Sequence, residues 1–276
     1  MTVKKLNLIS LWAVLWLSAC SPNPEEQANA LLLQADSLYQ TGRYDKSKIL
    51  IDSLERNYRH QIDQRRQARV LLDRIKVKEE TRNAQYLDSL IELMEPEVNE
   101  LMKQFVLSKD SAYVKEKIYT HRKQTVGYYP HTNLTAQVYE NGDIDLISVF
   151  CGYALNHTQV EVKIADMHLE TGVLPVGNAY NYQFSDEGVR WEYLTFKGAA
   201  QNGLLAFIAS TDAKERVRVV LHGDKTHTYY LEPTDRQALT EAYQFADKMK
   251  EFYNMKKQSR NAKEKTRYLL QKLDSL

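Results

Sequence analysis

Residues 134–146, LTAQVYENGDIDL, decide how the chain is read. Leu134, Ala136 and Val138 alternate with polar neighbours, Asn141-Gly142 supplies a tight turn, and Ile144 and Leu146 resume the alternation. A period of two sends successive side chains to opposite faces of a strand, and Asn-Gly between two such runs is a strong hairpin signal. The middle of the chain is therefore expected to be antiparallel β structure.

Further strands are expected on the same grounds. Val160, Val162 and Ile164 mark one, and the runs Leu204 to Ile208, Val217 to Leu221 and Thr226 to Leu231 add others. Between Ala179 and Phe196 lies a second hairpin around Ser185-Asp186-Glu187-Gly188. A four-residue loop there sets Phe184 opposite Val189, Tyr182 opposite Trp191 and Tyr180 opposite Tyr193. These six share one face, while Asn181, Gln183, Arg190 and Glu192 take the other. Because the second face is polar, the aromatic one is expected to be core. The alternative is a platform on which Tyr180, Tyr182, Trp191 and Tyr193 stack against sugar rings. About seven or eight antiparallel strands fit a sandwich or a strongly curved sheet.

On either side of this region the apolar period becomes helical. Ala28 to Gln40 carries Leu31, Leu32, Ala35, Leu38 and Tyr39 on one stripe; after Thr41-Gly42, Tyr44, Ser47, Ile51, Leu54 and Tyr58 form another. Ala68, Leu71, Leu72 and Ile75 follow, and Leu87, Ile91, Met94, Val98, Leu101 and Phe105 form a heptad seam that Pro96 is expected to kink. After Pro233, Leu239, Ala242, Ala246, Met249 and Tyr253 make a second seam, continued by Leu269, Leu273 and Leu276. Two seams flanking everything between them suggest an antiparallel helical pair. Ala35, Gly42, Tyr44, Ser47, Ile51 and Leu54 together resemble one tetratricopeptide (TPR-like) unit over residues 28–60, with Leu54 bulky where that family has alanine. A single unit of this kind has to pack on other parts of its chain.

The N-terminus reads as an export signal: Lys4 and Lys5, the apolar run Leu6 to Leu17, then Ser18-Ala19. The run is little more than half of the roughly 20 residues a membrane-spanning helix needs. Leu17-Ser18-Ala19-Cys20 resembles the lipobox of bacterial lipoproteins, which implies that Cys20 carries a diacylglycerol and that membrane lipid is a partner. The whole chain resembles the tetratricopeptide-containing lipoproteins of gut and oral Bacteroidetes, many without assigned function. That resemblance implies a lipid-anchored place in the bacterial cell envelope, at the outer membrane. The expected organisation is α+β: a signal peptide (1–19), a lipidated tether (20–27), a helical TPR-like region and stalk (28–110), an antiparallel β domain (111–232) and a long C-terminal helix packing back on the stalk (233–276).

Charge and motifs narrow the function. Lys and Arg number 37 against 36 Asp and Glu, and removing Lys4 and Lys5 with the signal leaves 35 against 36, a net charge of −1. This balance does not recommend nucleic acid as a partner. Besides Cys20 the only cysteine is Cys151, within the apolar stretch Ile147-Ser148-Val149-Phe150-Cys151, where a buried inert thiol is expected. His222 and His227 flank a turn, and Asp166, His168 and Glu170 alternate along a strand, but neither group alone supplies three converging ligands, so no metal or cofactor is expected. Cys151 can be paired on paper with His157 or His168, yet no third group accompanies them and no catalytic motif occurs, so no catalytic residue is assigned. Asp-Ser-Leu at Asp36, Asp52, Asp88 and Asp274, with Asp110-Ser111-Ala112, resembles bacterial O-glycosylation sites. The expectation is a noncatalytic scaffold or binding protein for an envelope protein or glycan. The alternatives are a carbohydrate-binding lipoprotein and a hydrolase with an unrecognised site.

Overall fold

The chain is α+β, with five α-helices and two antiparallel sheets among the described residues. The computed structural model describes residues 23–108, 117–124 and 131–275. The expected export signal, Cys20 and Asp110-Ser111-Ala112 lie outside the described residues.

Helix α1 (Pro24–Gln40) begins earlier than a tether through residue 27 allows. Pro24 suits the first turn, where its missing N–H is no loss, and Asn23 Oδ1 caps the helix by accepting the Glu25 N–H at 3.2 Å. The chain reverses at Gly42, whose φ of +73° favours glycine, into α2 (Tyr44–Asn57). Helix α3 (Ile62–Met102) follows.

The described residues divide into two compact units, one of residues up to Glu80 with those from Lys265, the other between them. In the first, Ala35, Ile51, Leu54, Ala68, Leu71 and Ile75 make the core. Small residues let α1 and α2 close: fully buried Ser47 donates its hydroxyl to the Ala35 carbonyl at 2.7 Å. Within this unit Lys272 pairs with Asp73 at 2.6 Å, and Lys265 with Glu80.

In the second unit, strands β1 (Phe105–Leu107), β2 (Ile118–His121), β3 (Asn133–Tyr139), β4 (Ile144–Gly152), β7 (Asn181–Asp186) and β8 (Val189–Lys197) form a sheet in the order β1-β2-β3-β4-β8-β7. Strand β1 thus joins the sheet ahead of the boundary expected at residue 111. Strands β5 (Gln159–Ile164), β6 (Met167–Glu170), β9 (Val217–His222) and β10 (Thr226–Tyr230) form the other, in the order β10-β9-β5-β6. The opening hairpin has the expected alternation, with Val138 opposite Ile144 and Ala136 opposite Leu146. Its turn lies against the C-terminal helix α5 (Pro233–Asp274): a Cβ on Gly142 would fall 2.3 Å from the Lys250 backbone nitrogen.

Three local expectations need correcting. Leu204–Ser210 is helix α4 rather than a strand; a short unbroken apolar run does not distinguish the two, and Leu204, Leu205 and Ile208 are buried at helical spacing. Helix α3 continues through Pro96, as a seam kept in phase requires, but Phe105 belongs to β1 rather than to that seam. In α5, Leu239, Ala242, Ala246 and Met249 are buried as expected, but Tyr253 is exposed and Phe252 takes its place, because a 3.6-residue period drifts from a strict heptad. Within this unit Lys248, Lys256 and Lys263 of α5 pair with Glu97, Glu95 and Asp88 of α3, so the two helices run antiparallel there.

Candidate functional site

The site grows from the β7–β8 hairpin. Its turn is Glu187-Gly188, with φ of +47° and +82°, the doubly positive pair of a two-residue type I′ turn. Tyr182 therefore sits opposite Tyr193, Phe184 opposite Trp191 and Asp186 opposite Val189, two residues away from the register a four-residue loop would set. A shift of two preserves parity, so the division into an aromatic and a polar face stands. Which face turns inward is the reverse of the expectation.

The polar face is inside. Glu192 is fully buried and Asn181 nearly so, whereas Tyr182 is 63% exposed. Glu192 is tolerated there because every direction of its carboxylate is used. Oε1 accepts the backbone N–H groups of Leu155 at 2.8 Å and Asn156 at 2.7 Å, and Oε2 accepts that of His157 at 2.8 Å and faces His157 Nδ1 at 2.6 Å. Burial pushes the Glu192 carboxyl up, but the hydrogen bonds from His157 and Asn156 outweigh it and hold it below the usual carboxylate value. Asn181 Nδ2 donates to the carbonyls of Leu174 and His157 at 2.8 and 3.2 Å.

His157 Nε2 lies 3.1 Å from Ser148 Oγ. Ser148, His157 and Glu192 thus stand in the order of a nucleophile, base and orienting carboxylate. All three are fully buried, so a solute does not reach Ser148 Oγ in this arrangement, and the group acts as a polar core. Sequence inspection missed this trio because its members lie on separate strands and loops with no motif spacing.

The aromatic face points away from this core. Phe184, Trp191 and Tyr193 have ring centroids 6.0 to 6.2 Å apart in all three pairs, with planes within 17° of parallel. Three mutual separations of that size make a triangle, not a column, so the rings form a tile of near-parallel plates. Tyr182 extends it, 5.4 Å from Phe184. Cys151 sits beside Trp191 in the register, half-buried on this same face, rather than in the core. Burial raises the Tyr193 phenol above its ordinary value, with Cys151 adding to the rise.

Tyr180 is not part of the tile. It lies near Lys197 Nζ, which stands 5.3 Å from its ring and 5.5 Å from that of Tyr139, and which pairs with Asp145 at 3.2 Å. Phe184, which the sequence placed on the aromatic face but not among the ligand candidates, is at the tile's centre.

The remaining candidates are redistributed. Cys151 is on the outer face of its sheet and His157 contacts the inner one, so the pairing drawn between them is not formed. His222 and His227 do not share a site: they project from opposite faces, and His227 packs on Phe150 at 4.9 Å, where burial and the neighbouring His157 hold its imidazole below the ordinary value. Asp166 lies in the β5–β6 turn, away from Glu170. Glu170 and His222, taken from two groups that the sequence left separate, come together around Glu161. Comparison of the chain with protein families, curated proteins and solved structures finds no match in any of the three.

Proposed function

We propose that this protein is a lipid-anchored envelope lipoprotein that binds a glycan through the tile of Tyr182, Phe184, Trp191 and Tyr193. One observation carries the proposal: four aromatic side chains lie on the outward face of the β7–β8 hairpin, while Asn181 and Glu192 of the same hairpin are buried on the inward one. Aromatic rings left partly in water retain apolar surface whose burial by a ligand is favourable. Such partly exposed rings can pack against the C–H faces of sugar rings. Attachment to the membrane is assigned to Cys20; among the described residues no helix is long and apolar enough to cross a membrane. The protein is read as noncatalytic.

Trp191 is the only tryptophan left after removal of the signal, so its emission reports on the tile directly. The test is titration of the mature protein with a panel of neutral and acidic oligosaccharides, followed by Trp191 fluorescence and quenching. A saccharide that shifts the emission and protects Trp191 from quencher supports the reading, and Tyr182→Ala should weaken it by roughly tenfold, or about 1.4 kcal/mol. Absence of any saccharide response, with emission already insensitive to quencher, sinks it.

A second reading, a scaffold for a protein partner, is favoured by the helical hairpin α1–α2. Its small buried Ala35 and Ser47 and its turn at Gly42 support the TPR-like interpretation of that region. The side chains of both sheets that share one buried cluster, among them Leu146, Phe196, Val162 and Val219, support reading the β region as a sandwich.

A further inference from the structure

We propose that Glu161, Glu170 and His222 form a binding site for a divalent cation of the zinc class, on the face of the four-stranded sheet opposite the core. The three side chains come from the adjacent strands β5, β6 and β9, and one ligand atom from each lies within 4.8 Å of the others. The sheet pairing explains the convergence: Glu161 is directly opposite Glu170, and His222 is opposite Gln159, one same-face step along β5. Val160, Val162, Val219 and Leu221 alternate to the buried side, which leaves the ligands on the other.

The donor set suits the metal. An imidazole with two carboxylates is a mixed nitrogen and oxygen set that favours zinc, whereas calcium and magnesium prefer oxygen alone and more of it. Three protein ligands leave a fourth tetrahedral position for water or an incoming group. At metal–ligand distances of about 2.0–2.1 Å, ligand atoms of a tetrahedral site are separated by roughly 3.3 Å. His222 Nε2 and Glu161 Oε2 are already 3.1 Å apart. Glu170 is exposed, held among the described residues only by the Gln159 hydrogen bond at 3.1 Å, and a side-chain rotation closes the rest of the gap.

Glu161 is the anchor. It is 5% exposed, a carboxylate nearly removed from water on a sheet face, and such a charge requires compensation. Lys163 Nζ at 2.8 Å and His222 at 3.1 Å now supply it. Burial pushes the Glu161 carboxyl up, but these two partners more than offset it and keep it below its usual value. Metal entry would convert His222 from a hydrogen-bond partner into a co-ligand and displace Lys163 from Oε1. Gln159 Nε2, which donates to Glu170 Oε2 at 3.1 Å, would orient the third ligand. The ion would then clamp edge strand β6 to its neighbour β5 and to β9 on the far side of β5.

The experiment is equilibrium dialysis of the chelator-treated mature protein against zinc chloride, with calcium and magnesium as competitors, and X-ray absorption of the loaded protein. Expected are one zinc per chain, indifference to the competitors, and a first shell of nitrogen and oxygen with a single imidazole. Glu170→Gln and His222→Ala should each weaken binding by roughly tenfold or more. Lys163→Met should tighten it, and His168→Ala should leave it unchanged. Because Glu161→Gln alters a buried group, the exposed Glu170→Gln, with circular dichroism confirming its fold, carries the decision. No zinc retained by the wild type, zinc retained undiminished by Glu170→Gln and His222→Ala, or sulfur in the first shell would overturn the proposal.

Discussion

Replacing Glu192 by Gln tests the claim that the polar face of the β7–β8 hairpin is held inside by a charge. The carboxylate accepts three backbone N–H groups and faces His157 Nδ1, all at 2.6 to 2.8 Å. An amide has one acceptor oxygen and one NH2 group. If the NH2 replaces Oε1, the N–H groups of Leu155 and Asn156 both lose their acceptor. If it replaces Oε2, the His157 N–H alone is orphaned, and Nδ1 can accept provided the imidazole carries its proton on Nε2, with Ser148 Oγ receiving it. The second arrangement is the cheaper one. One unsatisfied buried donor costs about 1–3 kcal/mol, and loss of charge assistance in the remaining bonds adds roughly 1 kcal/mol. The expected loss is therefore about 2–4 kcal/mol near pH 7, read as a lower urea midpoint with unchanged slope.

The pH dependence carries a second check. The folded carboxyl is held below its ordinary value of 4.5, so its contribution is complete above that value and is lost as the pH falls through the folded one. Since Gln does not titrate, the gap between wild type and Glu192→Gln should narrow as the pH is lowered below about 4.5. A variant within about 0.5 kcal/mol of wild type at pH 7, or a gap that does not vary with pH, would refute the account of this buried network.

Three further outcomes are expected. Gly142→Ala places a Cβ 2.3 Å from the Lys250 backbone nitrogen at a φ of +82°, and should cost at least about 2 kcal/mol by urea denaturation, since the φ penalty alone is roughly 1–2 kcal/mol. Arg236→Ala removes a guanidinium that donates to the carbonyls of Thr211, Asp212, Ala213 and Glu215; leaving them without it should destabilise the second unit by about 2–4 kcal/mol and speed amide exchange between residues 211 and 217. Cys20→Ser should move the protein from the membrane fraction to the soluble one on fractionation; retention in the membrane would argue against the lipid anchor.

Much of the architecture is legible in local periodicity. Alternation in residues 134–146 places a hairpin, and helical spacing places α1, α2, α3 and α5, because the backbone geometry that sets these periods is a property of neighbouring residues. The faces of the β7–β8 hairpin are legible for the same reason, and even an error of two in the register leaves them intact. What lies beyond a local reading is the direction each face points. Asn181 and Glu192 read as solvent-facing until their partners are known, and those partners, Leu155 to His157 and Leu174, are supplied by another part of the chain. A charge with every lone pair occupied is stable in the interior, and that count is made only in three dimensions. The same holds for Glu161, Glu170 and His222, which come from two unremarkable groups and a third residue that no spacing rule connects. Sequence alone determined the long helices, the opening hairpin, the two-faced β7–β8 hairpin and the lipobox-like N-terminus; the tertiary structure decided that Leu204–Ser210 is helical, which face is wet and which ligands meet, because burial and convergence depend on groups that are neighbours in space and not in the chain.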